Sequence, residues 1–388
     1  MPQTPVSATT VYLDQPPSCL QFCPNSPNHF IVGTYLLTET KDAEDNIEQA
    51  KTGSLQLWQL NSESNTFTQI QRVPLPYAVF DLHFHPRDPS ILAIATSTGS
   101  IALFKVTPGP VPELTHLWTK SVHEDPSIPA LFLAWTPQNW LRERDGFAVT
   151  FSDGRTSVFV ADDQVAECEE VESFEAKQKI EVWFVALATA RQNGEDDVAP
   201  FMFTGDDFGA LRTCRFGAGE GEAMKPLIGD AEDRARHHTA GVTAILPLPL
   251  PVTVEADPVL LTGSYDEELR VYRASRRGEV LAEMGLGGGV WRLQLLRVNG
   301  ELEAGACSFL VLASCMHGGT RVVRVTRTEG EWEIEVMAEF TEHESMNYAS
   351  DVWKPDGGYD LQGKNVSELL CVSSSFYDRR LCLWCVTV

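Results

Sequence analysis

Histidine, aspartate, tyrosine and tryptophan gather at the ends of short apolar runs in the second half of this chain. His238 opens the stretch His238-Thr239-Ala240-Gly241-Val242, and Trp291 and Arg292 follow Gly287-Gly288-Gly289-Val290. Ser345, Tyr348 and Asp351 lie in the polar stretch His343–Asp351, while four turns carry Asp206-Asp207, Tyr265-Asp266, His317 and Tyr377-Asp378. Brought to one surface, such side chains make a ligand site, with imidazole and carboxylate as the groups able to move protons. No G-x-S-x-G elbow, G-x-x-x-x-G-K-[ST] loop or H-E-x-x-H helix occurs, and no G-x-G-x-x-G joins a strand to a helix. A metal is not expected. His83 and His85 have strand spacing but no third ligand, which favours an exposed strand face, and Cys382-x-x-Cys385 points its thiols to opposite faces of a strand.

The elements that must position these residues repeat. A turn followed by an aromatic or apolar strand returns about every 45 to 60 residues, too short a unit to bury its own apolar face. Seven such closings are present, among them Gly53–Trp58, Thr98–Phe104, Ser152–Phe159, Gly263–Tyr272 and Ser375–Trp384. The expected fold is all-β, a seven-bladed WD-repeat β-propeller spanning residues 1–388 as one domain. Each unit reads as outer, inner, second and third strand. For the second blade these are Thr66–Val73, Val79–His85, Ile91–Ala95 and Ser100–Val106. The last unit stops at its third strand, so Thr9–Leu13 is expected to supply the missing outer strand and leave no free edge. Glu39–Thr52, Gly217–His237 and Lys354–Lys364 read as mobile surface loops, and Asp162–Glu175 as an outer strand with a solvated face.

With 43% hydrophobic residues the chain can pack a core, and its formal net charge of −24 disfavours nucleic acid and anionic lipid. The acidic surface suits a basic or cationic partner, or simply solubility. Met1–Pro5 lacks a basic region with an apolar core behind it, and nine cysteines lie mostly in apolar strands. A cytoplasmic protein with reduced thiols, not bound to a membrane, is expected.

In propellers of this strand order, the outer-to-inner loops and the second-to-third-strand turns open on the same rim. Blades four to seven therefore present the residues named above on one face. Each has a structural rival. Ser264 and Asp266, with a histidine in the preceding loop, resemble the Asp–His–Ser arrangement that braces WD-repeat blades, and Asp153, Asp207 and Asp378 occupy similar turns. Trp291 opens an inner strand and suits a core equally well.

The motifs of the C-terminal half resemble the diphthine methylesterase (diphthine methyltransferase) family of diphthamide biosynthesis. The resemblance runs through Gly205-Asp206-Asp207, His238-x-x-Gly241-Val242, Thr262–Glu267, Gly288-Gly289-Val290-Trp291-Arg292-Leu293, Cys315-Met316-His317, Ser345-x-x-Tyr348-x-x-Asp351 and Ser374–Asp378. Gly-Gly-Val-Trp-Arg and Cys-Met-His carry its specificity. Before Gly205 it is looser, and the Trp-Asp closing pair is mostly lost, with Cys214, Tyr272 and Val323 in the equivalent strands. The resemblance implies a hydrolase that demethylates methylated diphthine on translation elongation factor 2. No cofactor is expected, and a monomer is the default for a closed ring. The substrate's trimethylammonium group would meet an aromatic cage of Tyr265, Trp291, Tyr348 and Tyr377, with Asp206, Asp207, Asp351 or Asp378 supplying charge. His238 or His317 would activate water, oriented by a carboxylate such as Asp266, with Arg292 or the Gly287–Gly289 amides meeting the oxyanion and Ser345 as the alternative nucleophile. The competing reading is a non-enzymatic WD-repeat adaptor in membrane traffic or ubiquitin-ligase assembly.

Overall fold

Strands rich in Val, Ile, Leu and Phe, cut by Gly, Asp and Pro turns, form small sheets whose two faces both need covering. The computed structural model describes residues 1–41, 47–107, 109, 112–138, 140–141, 144–162, 165, 167–192, 197–217, 226–250, 257–302 and 305–388. Among them are seven antiparallel sheets and no helix. The fold is a seven-bladed β-propeller closed by its N-terminal strand. Two compact units divide the chain: Gln3–Ala130 with Phe340–Val388, and Leu131–Glu339 with the first two residues.

The first of these units holds blades one, two and seven. In blade one, Pro17–Phe22, His29–Thr34, Ile47–Asn61 and Thr66–Leu75 pair in that order. Thr66–Leu75 thus belongs to the blade before the one its repeat suggests, because the sequence repeat runs one strand out of step with the sheet. Ile47–Asn61 also pairs with Leu36–Lys41, from Leu36↔Thr52 to Lys41↔Ile47. The described part of Glu39–Thr52 is therefore a β-ribbon and not a loop, since Thr38, Thr40 and Ile47 favour extended backbone despite the flanking charge. Residues 42–46 lie outside the described set.

In blade seven, Ser7–Tyr12 pairs antiparallel with Arg380–Thr387, followed by Glu368–Ser375 and Ser350–Val352. Lys354–Lys364 is an irregular loop but an anchored one, with Leu361 fully buried and the Tyr359 hydroxyl donating to the His85 carbonyl. His85 itself is buried, and its Nδ1 accepts the Arg87 and Asp88 N–H groups at 3.2 and 2.9 Å. His83 is half-buried 3.5 Å from Asp81, so these imidazoles do not share an exposed strand face.

Blade seven is braced by His343, whose Nε2 lies 2.8 Å from Ser373 Oγ, while Trp384 Nε1 donates to the same oxygen at 3.0 Å. Burial pushes the His343 pKa down to about 4. In the unfolded chain this imidazole takes up a proton near pH 6.5, whereas in the fold it stays neutral, so its contribution to stability is lost as pH falls from 6.5 towards 4. Urea titrations at pH 7 and 5 should show wild type losing about 2 kcal/mol more than His343→Gln between the two pH values. A parallel decline in both proteins would remove His343 as the cause.

The second unit holds blades three to six. Blade four pairs Val182–Gln192, Asp197–Asp206, Leu211–Phe216 and Leu227–Glu232. Its outer strand comes from the stretch read as a loop between Gly217 and His237. An edge strand tolerates polar residues, so composition hid it. Residues 218–225 lie outside the described set. Blade five pairs Val242–Pro247, Val259–Ser264, Glu268–Arg273 and Glu279–Gly285, and blade six Arg292–Glu301, Ala306–Ser314, Thr320–Thr328 and Glu331–Phe340. Blade three ends on Cys168–Glu175, an outer strand with a largely exposed face, as expected. All nine cysteines are free thiols and seven are buried.

Candidate functional site

Two backbone features repeat along the second unit and aim side chains away from the sheets. The inner strand of blade four opens with a β-bulge between Val182 and Phe184, leaving Trp183 outside the ladder. In blade five the same bulge leaves out Thr243, and in blade six Trp291 precedes the first paired residue, Arg292. A bulge re-aims its side chain: Trp183 and Trp291 are left half-buried, whereas Thr243 is fully buried and donates its hydroxyl to the Val290 carbonyl at 2.6 Å. The second feature is the turn after the second strand, which presents Asp207, Tyr265 and Met316 in blades four, five and six.

Trp183, Tyr265 and Trp291 converge. Their ring centroids are 6.1 Å (Trp183–Tyr265), 5.5 Å (Trp183–Trp291) and 5.9 Å (Tyr265–Trp291) apart. All three side chains are half-buried, and Trp183 Nε1 donates to Asp207 Oδ1 at 2.6 Å. The rings touch one another, so a cation would rest on the cluster and not inside it. Two glycines admit this packing. A Cβ on Gly241 would stand 2.9 Å from the Tyr265 ring and 3.0 Å from the Asp207 backbone, and one on Gly289 would stand 2.7 Å from Met316 Sδ. The Gly-Gly-Val-Trp-Arg run is therefore steric in origin: Gly288 and Gly289 let the loop close against the turn of Cys315–Gly318.

His317 follows Met316 on that turn, and its Nε2 stands 3.4 Å from Glu267 Oε1. Both side chains are about half exposed, at 56% and 46%. An imidazole and a carboxylate thus meet at the surface beside the turn that carries Tyr265.

Other expected site residues belong to the framework. His238 is buried, its Nε2 2.9 Å from Thr262 Oγ1, and burial followed by nearby Arg270 pushes its pKa down to about 3. Tyr272 stands where a WD strand has tryptophan and donates its hydroxyl to Asp233 at 3.1 Å. Asp266 accepts the Thr239 and Glu268 N–H groups and Arg270 Nη1 at 2.9, 3.1 and 2.9 Å. Burial opposes its ionisation, but these bonds hold its carboxyl below the usual range. Asp206 caps its own turn through the Phe208 and Ala210 N–H groups, and burial pushes its pKa up. Arg292 donates to the Thr243 and Trp291 carbonyls and lies over the rings of Trp291, Phe132 and Phe184 at 4.6, 4.9 and 5.5 Å. It supports Trp291 from behind instead of meeting an ester oxygen.

The blade-seven residues lie in the other unit and form a cluster of their own. Phe376 contacts Tyr348 at 5.3 Å, Tyr377 at 5.0 Å and Tyr35 at 6.3 Å, and Tyr35 contacts Phe80 at 5.4 Å. Burial pushes the Tyr348 pKa up to about 12, whereas Tyr377 is exposed. Ser345 is no activated nucleophile: its Oγ donates to Asp378 at 2.7 Å and accepts the Tyr377 N–H, while His343 is engaged with Ser373. Asp378 also accepts from Ser375 and the Glu344 N–H, bracing the turn. Asp351 is buried in an ion pair with Lys354 at 2.6 Å and accepts the Phe22 N–H at 2.8 Å.

Trp183 and Glu267 are the residues that sequence reasoning missed. Val182-Trp183 opens an inner strand as Val290-Trp291 does, and that parallel was the available signal for the first. Glu267 stands within a matched motif, but only folding brings it to His317. Among the described residues, no three His, Cys, Asp or Glu side chains are arranged to hold a metal ion, and no helix is long and apolar enough to cross a membrane.

No family model matches the chain. Individual proteins do. It is 25% identical over 379 residues to a Schizosaccharomyces pombe protein named diphthine methyltransferase, covering 98% of this chain and 97% of that one. Mouse and human proteins of the same name are 26% and 24% identical over 86% of this chain, which spans 66% and 71% of their lengths. In fold it is similar to Sqt1 of Saccharomyces cerevisiae, with a TM-score of 0.60 over the whole of both chains at 11% identity. Along its full length, and through the Gly-Gly-Val-Trp-Arg run and the Cys-Met-His turn that build the aromatic cluster, the chain is thus similar to proteins named diphthine methyltransferase.

Proposed function

We propose that the chain is a carboxylic-ester hydrolase that removes the methyl ester from methylated diphthine on translation elongation factor 2, freeing the carboxylate for amidation to diphthamide. The observation that carries this reading is the aromatic triad Trp183–Tyr265–Trp291, with the Asp207 carboxylate bonded to it and His317 on the adjoining turn. A quaternary ammonium group has no hydrogen to donate, so aromatic faces and a nearby carboxylate are the groups that attract it. The formal net charge of −24 adds a long-range attraction for such a cation.

With the cation on the triad, His317 is the exposed imidazole placed to take a proton from water as the oxygen attacks the ester carbonyl carbon. The tetrahedral intermediate expels methoxide, which leaves as methanol with the proton from the imidazolium. The products are a carboxylate, methanol and one proton released to solvent. We place this reaction in the cytoplasm, where the elongation factor works. No observation favours a pure scaffold.

The test is mass spectrometry of elongation factor 2 from cells lacking this protein, before and after incubation with the purified chain. The modified-histidine peptide should lose the mass difference between methyl ester and acid. A peptide that is never esterified in those cells, or an ester that the chain leaves untouched, would count against hydrolysis.

A further inference from the structure

In blades two to five the turn after the second strand has the same register, closing on Ala95↔Ile101, Thr150↔Thr156, Gly205↔Leu211 and Gly263↔Leu269. Its fourth step must enter the left-handed backbone region. In blades two, three and four that place is held by glycine, Gly99 (φ 58°), Gly154 (φ 98°) and Gly209 (φ 87°). Blade five puts Glu267 there at φ 71°. A Cβ in this region clashes with the backbone, and glutamate gains nothing locally in return. Strain of this kind is retained where the side chain is needed. The Glu267 carboxylate reaches across to the neighbouring blade, where its Oε1 stands 3.4 Å from His317 Nε2. On the His317 side the turn is equally constrained, with Met316 at φ 42°.

We infer that Glu267 is a positioning residue for His317: it holds the Nε2–H tautomer, leaves Nδ1 to accept the proton of the attacking water, and stabilises the imidazolium that forms. This rests on the ester-hydrolase reading above. The covalent step is unchanged. Water loses its proton to Nδ1, the C–O bond to methoxide breaks, and that proton departs with methanol, while Glu267 keeps its charge throughout.

The decisive variant is Glu267→Gly. Glycine relieves the backbone strain, so a structural role and a positioning role predict different results. The variant is expected to unfold at or above the wild-type temperature, to bind a trimethylammonium acid (the product analogue) with unchanged Kd, and to lose about tenfold to a hundredfold in kcat with KM little altered. Glu267→Gln, which keeps the strain and the shape but not the charge, should lose a similar factor, and Glu267→Asp should recover part of it. Full turnover in Glu267→Gly overturns the inference. So does a fall in its unfolding temperature accompanied by weaker analogue binding, which would make Glu267 a brace of the site. If the wild-type chain hydrolyses no ester at all, the failure lies with the hydrolase reading, and wild type alone reveals it.

Discussion

Replacing Trp183 and Trp291 together by leucine is expected to lower kcat/KM on the methyl ester of diphthine by about a hundredfold. A quaternary ammonium over an aromatic face gains about 0.5–2 kcal/mol per ring, and two rings of the triad are removed here. Leucine keeps much of the apolar volume, so the half-buried positions should not collapse, although the Trp183 bond to Asp207 is lost. Part of the loss could come from disturbed packing, and substrate comparison separates the two. An ester in which trimethylammonium is replaced by an uncharged tert-butyl group presents the same shape without the charge. Wild type should prefer the charged ester by a factor close to that lost in the double variant, and the variant should show no preference. If the variant still distinguishes the two esters as wild type does, the triad does not hold the cation.

The largest stability effect is expected at Lys354. Its Nζ meets Asp351 at 2.6 Å, and the two side chains are only 3% and 2% exposed. Removing one member of a buried pair leaves the other charge without compensation, at a cost of about 3–5 kcal/mol. Lys354→Met should therefore shift urea unfolding by roughly that amount, although Asp351 retains the Phe22 N–H. Arg324 and Glu335, exposed by 39% and 59%, offer the control: Arg324→Met should cost less than about 1 kcal/mol. Equal, small losses at both sites would show that Asp351 does not carry a buried charge. The result bears on function as well, because Asp351 was expected on sequence grounds to face a ligand.

Several polar residues looked alike in the sequence and diverge in the fold. Asp207 and Asp266 both lie in the turn that follows a second-strand glycine, yet Asp266 is consumed by two backbone N–H groups and Arg270 while Asp207 meets Trp183. The difference is a one-residue offset: by register Asp207 corresponds to Tyr265, and Phe208 to Asp266. His238 and His317 are likewise both turn-adjacent imidazoles. The first is buried against Thr262 and the second stands in solvent beside Glu267. Spacing along the chain does not record burial. The ribbon of Leu36–Lys41 with Ile47–Thr52 and the outer strand Leu227–Glu232 were hidden for another reason, since strands that cover no core need no apolar pattern.

What the sequence determined by itself was the repeat, its seven closings, the all-β propeller and the family-specific glycines, because apolar alternation and turn chemistry are local properties of the chain. The edge left by the last unit also predicted where the N-terminal strand must go. Only the tertiary structure decided which of the many rim-type residues are braces and which are available. Asp206, Asp266, Asp351, Asp378, Ser345 and His238 are engaged by partners within their units, whereas Trp183, Tyr265 and Trp291 form a half-buried aromatic cluster bonded to Asp207, and His317 stands in solvent beside Glu267. That choice depends on burial and on contacts between blades far apart in sequence, which arise only when each sheet packs against its neighbour.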